Sequence, residues 1–141
     1  MSFVVDASVA IKWYFHEPSH EAAVALLQSG DLLHAPDLIA IEIANIAWVK
    51  ARKREIEPEQ ARIVADDIER TIDRLEPSYP LIRRALEIAF LIDHSLYDCL
   101  YLACAEGLDA TLVTADTRLL RAAEGTAFAA LMQPLVGLRL R

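Results

Sequence analysis

Asp6, Glu42, Asp98 and Asp116 differ from the other acids of this chain in their surroundings. Asp6 follows the apolar run Phe3-Val4-Val5, and Asp116 lies within two residues of Ala110-Thr111-Leu112-Val113-Thr114. Glu42 interrupts the apolar stretch Leu38 to Val49, and Asp98 precedes another, Cys99 to Ala105. Carboxylates crowded together repel, and burial makes each charge more costly. A hard divalent cation such as Mg2+ or Mn2+ relieves both effects, because it takes oxygen ligands and keeps several waters. Calcium fits less well, since no loop offers a dense array of oxygens, and zinc less still, since His16, His20, His34 and His94 have no ligand spacing. An all-carboxylate metal site suits phosphodiester cleavage, with one or two metals activating a water and stabilising the leaving oxygen.

The elements that would carry these acids alternate between short buried strands and helices. Phe3 to Val5 reads as a strand, followed by a short helix from Ala7 to Phe15 that carries Lys12 and ends in Trp13, Tyr14 and Phe15. Ser19 is placed to cap a helix over Glu21 to Gln28, which Gly30 ends. Leu32 to Ala35 reads as a second strand, and Asp37 as the cap of a helix over Leu38 to Lys53. That helix is apolar on nearly all sides apart from Glu42 and Asn45, a pattern of burial. A Glu inside it must be paired, hydrogen-bonded, protonated or bound to a cation; the alternative is an acid favoured by the helix dipole.

Farther on, Glu57-Pro58-Glu59 opens a helix to Ile72 with an inward stripe of Ile63, Val64, Ile68 and Ile72, and its acids read as a solvated face. Leu75 to Tyr79 is a short extended piece, and Pro80 opens a helix to Ile92. Ser95 with Asp98 three residues on has the spacing of a capping box, which competes with a functional reading of Asp98. Gly107 is expected to end that helix, Ala110 to Thr114 to form the next strand, Thr117 to Ala123 a helix after Asp116, and the tail around Phe128 to Val136 a last strand. Such alternation points to a parallel sheet covered on both faces. Strand ends and helix starts then share one edge, where ligands bind in open α/β sheets, so all four acids are able to converge there. For Asp6 and Asp116 the competing reading is a plain N-cap.

With 141 residues the chain is expected to be one domain, 1–141, without an internal boundary. Its apolar share of 55% exceeds the roughly 45–50% of soluble domains, which suggests apolar surface covered by another subunit or a partner. No run reaches the ~18–20 uncharged residues of a membrane span, and Asp6 stands where a signal peptide needs its apolar core, so a cytoplasmic location is expected. Cys99 and Cys104 point to different faces of one helix and read as reduced core thiols. A net charge of −7 argues against nucleic acid, since phosphate binding calls for a basic surface. The objection weakens if metal partly neutralises four of the acids and if Lys12, Arg118 and Arg121, just after motif acids, meet phosphates.

The residues around the four acids resemble a known family. Val-Val-Asp6-Ala-Ser, Pro-Asp-Leu-Ile-Ala-Ile-Glu42-Ile-Ala-Asn, Ser-Leu-Tyr-Asp98-Cys-Leu-Tyr-Leu-Ala and Leu-Val-Thr-Ala-Asp116-Thr-Arg-Leu are similar, in order and over about Phe3 to Leu120, to the motifs of PIN-domain ribonucleases of the VapC toxin type. The resemblance implies a PIN-like three-layer α/β/α fold with a mostly parallel sheet of four to five short strands. It also implies a Mg2+- or Mn2+-dependent endoribonuclease, usually a homodimer, inhibited by a cognate VapB-type antitoxin whose C-terminal segment occupies the active-site groove. Asp6, Glu42, Asp98 and Asp116 would be its acidic quartet and metal ligands, with Ser8 and Thr114 as polar helpers and RNA as substrate. Trp13, Tyr14, Phe15 and Trp48 are candidates for the dimer and antitoxin faces, with core packing as the default for each. A binding module that keeps the acids as a scaffold is the competing class. A phosphatase using Asp6 as nucleophile is disfavoured by Ser8, where such enzymes place a second Asp.

Overall fold

Phe3, Val4 and Val5 are buried on both sides, as a central parallel strand requires. In the computed structural model, which describes residues 1–140, they belong to β1 (Ser2–Val5). The other strands are β2 (Leu32–Pro36), β3 (Arg74–Glu76), β4 (Thr111–Thr114) and β5 (Met132–Pro134). Their order is β3-β2-β1-β4-β5, and every neighbouring pair is parallel. This is the expected α/β fold, with the tail supplying the fifth strand.

Seven α-helices connect the strands: α1 (Ala7–Ala10), α2 (His20–Leu27), α3 (Leu38–Arg52), α4 (Pro58–Thr71), α5 (Ile82–Ile92), α6 (Leu96–Leu108) and α7 (Thr117–Ala123). The first expected helix is thus a single turn, continued as a 3-10 segment over Ile11–Trp13. The helices fall into groups by their packing: α3 packs on α4 and α1, while α5 packs on α6, and α6 lies across β1, β2 and β4. One continuous core results, with Tyr101, Leu102, Ile39, Ile43, Ile68 and Ile88 among its fully buried members. Among the described residues no single helix is long and apolar enough to cross a membrane.

Several local expectations change in the folded chain. Gly107 does not end α6; the helix runs to Leu108, and Asp109 stops it in the left-handed region at φ 52°, which short polar side chains tolerate. Ser19 precedes α2 at φ 69° and gives no side-chain cap. Ile63 is 59% exposed, so α4 turns only Val64 and Ile68 inward, with Ile72 just beyond its end. The α3 helix is not buried all round either: Ile39, Ile43 and Ala47 face the core, whereas Ile41 and Trp48 are exposed. Trp13, Tyr14 and Phe15 brace the interior instead of forming a free face. The Trp13 indole N–H donates to the Ala23 carbonyl (2.9 Å), and the Tyr14 hydroxyl donates to Asp67 (2.8 Å). Both cysteines are buried and unpaired as expected, and burial pushes their thiols up to about 11 (Cys99) and about 12 (Cys104).

Asp37 does not cap α3 with its own side chain. The Ser78 hydroxyl, just past β3, accepts from the Leu38 N–H (3.1 Å), and Asp37 in turn accepts from the Ser78 N–H (3.2 Å). This clasp orients the helix that carries Glu42. Ser78→Ala is expected to cost about 0.5–2 kcal/mol in urea unfolding. Asp37→Ala should cost a similar amount, and the double variant less than the sum, because the two residues act as one unit.

Candidate active site

The strand order reverses at β1: the chain steps out through β2 to β3, then crosses back to β4 on the other side. In open α/β sheets the crevice outside the carboxyl ends at such a reversal is where ligands bind. β1 and β4 pair in register up to Val5 and Val113, so their ends lie side by side. Asp6 emerges from one, and Thr114 and Asp116 from the other.

Asp6 is 4% exposed and both caps α1 and faces the crevice. It accepts from the Val9 N–H (3.2 Å) and from the hydroxyls of Ser8 and Thr114. These hydroxyls are themselves held, since the Ala115 N–H donates to Ser8 Oγ (2.9 Å) and the Asp116 N–H to Thr114 Oγ1 (3.0 Å). Burial pushes the Asp6 carboxyl up to about 6; the three hydrogen bonds oppose that rise, and the charge of Asp98 adds to it.

Glu42 projects from the second turn of α3, and its Oε1 accepts from the hydroxyl of Tyr101 on α6. Its carboxyl is also raised, first by burial and then by the charge of Asp98, while the Tyr101 bond lowers it. Tyr101 is nearly fully buried, and its hydroxyl is held far above the ordinary phenol range by burial and by the charges of Glu42, Asp6 and Asp98. The Tyr101 hydroxyl is thus bound to Glu42 and lies within range of the charges of Asp6 and Asp98.

Asp98 lies in the first turn of α6 without completing a capping box. Ser95 supplies its half by accepting from the Tyr97 N–H (3.2 Å), but Asp98 Oδ2 is bound to His94 Nε2 at 2.6 Å. Asp116 stands one strand over on the same edge, with its carboxylate capping α7 through the N–H groups of Arg118 (2.9 Å) and Leu119 (3.4 Å). Its link to the other acids runs through its backbone and Thr114. Tyr101 and His94 are the residues that the sequence reading missed. Both lie at helical spacing from Asp98, three residues after and four before, which puts their side chains within its reach. A buried Tyr hydroxyl also requires a partner.

The three basic candidates divide. Lys12 is mostly buried, with its ammonium 3.8 Å from Glu17, whose other oxygen holds Lys50 at 3.1 Å. Arg118 and Arg121 on α7 are exposed, and among the described residues neither forms an ion pair.

The donor set fits Mg2+ or Mn2+. Among the described residues no Lys or Arg is paired with Asp6, Glu42 or Asp98, so buried negative charge is left for a cation to balance. All the donors are oxygens, and among the described residues Glu42 Oε2 and Asp98 Oδ1 carry no protein hydrogen bond. Among the described residues no three acidic, histidine or cysteine side chains by themselves enclose a metal site.

Residues 3–125 match the PIN domain family model. Ribonuclease VapC3 of Pyrobaculum aerophilum is 31% identical over 121 residues, which cover 84% of this chain and 92% of that protein. Among solved structures, PAE2754 from Pyrobaculum aerophilum superposes with a TM-score of 0.69 at 21% identity, covering 96% of this chain and 85% of that one. VapBC2 from Rickettsia felis, bound to a promoter DNA fragment, gives a TM-score of 0.62 at 16% identity over 95% of this chain and 98% of that chain. The structural likenesses speak to the fold, and the sequence matches to descent: the chain belongs to the PIN-domain family, in its VapC branch.

Proposed function

We propose that this chain is a Mg2+- or Mn2+-dependent endoribonuclease toxin, acting in the cytoplasm as a single domain over 1–141 and restrained by a cognate VapB-type antitoxin. The observation that carries this reading is the set of three buried or half-buried carboxylates, Asp6, Glu42 and Asp98, none paired with a Lys or Arg among the described residues, at the sheet's crossover edge. In this reading Asp6, Glu42 and Asp98 hold the metal, and Asp116 acts from the neighbouring strand end. Ser8 and Thr114 hold the Asp6 carboxylate in one orientation. Arg118 and Arg121, exposed on α7, draw the RNA backbone to an otherwise acidic surface, with Lys12 a third candidate for phosphate contact. The bound metal supplies an activated water and neutralises the charge that develops on the leaving oxygen.

A homodimer and an antitoxin complex each need an apolar face, and the chain has two. On α5, Ile82, Leu86 and Phe90 lie one turn apart and exposed, Phe90 at 81%, with Tyr79 just before them. We assign this stripe to a second copy. The exposed Ile41 and Trp48 lie on the same helix as Glu42, so we assign the α3 face to an antitoxin segment that reaches the acids. Trp48 also has the Arg52 guanidinium 5.2 Å over its ring, and Ala51, Pro58 and Ala61 complete a groove between α3 and α4.

Asp98→Asn and Asp6→Asn should each remove detectable cleavage of an RNA mixture and relieve growth arrest while the circular dichroism spectrum stays native; EDTA should do the same to the wild type. Full cleavage in any of these three cases would overturn the assignment.

Asp6 also generates a stability prediction. Its carboxyl is raised from 3.8 to about 6 in the folded chain, so between those values the folded state holds a proton that the unfolded state has lost. Stability without metal should therefore fall as pH rises from about 4 to about 6, and stay lower above it. Asp6→Asn abolishes that loss. In EDTA at pH 7.5 it should be more stable than the wild type by up to about 3 kcal/mol and so melt at a higher temperature, and Mn2+ should raise the melting temperature of the wild type only.

For the α5 face, Leu86→Glu with Phe90→Glu should convert a sedimenting dimer into a folded monomer. Wild-type protein that sediments as a monomer at micromolar concentration would refute the dimer.

A further inference from the structure

In each of the three acids around Tyr101 the protein has claimed at least one oxygen. Ser8, Val9 and Thr114 donate to Asp6, and Tyr101 donates to Glu42. The only such donor to Asp98 among the described residues is His94, with its Nε2 2.6 Å from Oδ2. The two side chains are sheltered, at 18% and 26% exposure, so the contact is not a loose surface pair.

The chain places this imidazole with some care. Asp93 ends α5 in the left-handed region at φ 51°, and the His94 N–H turns back to the Ala89 carbonyl (3.2 Å). One residue later Ser95 caps α6, and the His94 carbonyl faces the Cys99 thiol at 3.9 Å. The backbone of His94 is thus tied to the end of one helix and the start of the next. Its ring lies along the first turn of α6, where Asp98 points. In the Nε2–H tautomer the imidazole donates to Asp98 Oδ2 in this contact.

We propose that His94 is a positioning residue for Asp98: its Nε2–H holds Oδ2, fixes the rotation of the carboxylate and leaves Oδ1 free to take a divalent cation. Without His94 the carboxylate would turn freely about its own side-chain bonds, and a cation would have to immobilise it on binding. Outer partners of metal ligands fix their orientation in this way, and their loss typically lowers metal affinity by about 10–100-fold. His94 does not touch the ion or the substrate. The inference rests on the metal-dependent reading given above and adds to it a residue that the four acidic motifs do not contain.

The test is Mn2+ binding by calorimetry and by Mn2+ paramagnetic resonance, without RNA, on the full chain and the variants Asp98→Asn, His94→Leu and His94→Gln. The wild type should bind Mn2+ and Asp98→Asn should not. His94→Leu should bind about 10–100-fold more weakly, and His94→Gln, whose amide N–H reaches the position of Nε2, should recover most of the loss. Unchanged or tighter binding in a folded His94→Leu protein overturns the proposal, as does a His94→Gln protein no better than His94→Leu. Should His94→Leu fail to fold, the ring nitrogens of the wild type decide by NMR. An Nε2–H tautomer that persists as Mg2+ is added supports the proposal, and an Nδ1–H tautomer overturns it. Wild-type protein that binds no Mn2+ overturns the metal-dependent reading itself, which separates that failure from a failure at His94.

Discussion

Asp6 places a carboxylate at the end of the central strand, between a sheet and two layers of helices, and the fold around it is arranged to tolerate that charge. A carboxylate so buried is unstable in isolation. It persists here because two hydroxyls and a backbone N–H converge on it, and because β4 is locked beside β1 in a register that delivers Thr114. The cost is still visible in the raised affinity of Asp6 for a proton. Glu42 shows the same compromise more mildly, with Tyr101 as the counterpart of Ser8 and Thr114. A fold selected only for stability would put Asn or Ser at position 6.

Much of this was legible in the chain because the signals are local. A strand that runs into an acid and then a helix is written in consecutive residues, and it recurs at Asp6 and Asp116 because N-capping and strand burial both act within a few positions. The helical spacing of Tyr101 and His94 from Asp98 was equally local but was masked by another reading, since Ser95 and Asp98 have the spacing of a capping box. What could not be read is long-range. Glu42 and Tyr101 are 59 positions apart, and Ser78 and Asp37 are 41 apart. Neither pair leaves a periodic trace, because each depends on how two separately formed elements dock.

The misread faces share one physical origin. Periodicity assigns apolar residues to the core, so Ile63 was turned inward and α3 was buried on all sides. In the folded chain Ile41, Trp48 and Ile63 face outward. Hydrophobic patterning reports which surfaces avoid water in the finished assembly, and it does not say which of them are covered by the same chain.

The strand order also fixes when the crevice comes into being. Thr114, and the strand that delivers it beside Asp6, come 108 positions later in the chain than Asp6 itself. Until β4 pairs with β1, a growing chain holds its acids on a sheet with one side open and no neighbouring strand end to complete the crevice. For an endoribonuclease toxin of the kind proposed above, this interval is a safeguard inherent in the topology. The crevice is complete only once β4 has been synthesised and has paired with β1, and every truncated product that ends before β4 lacks it.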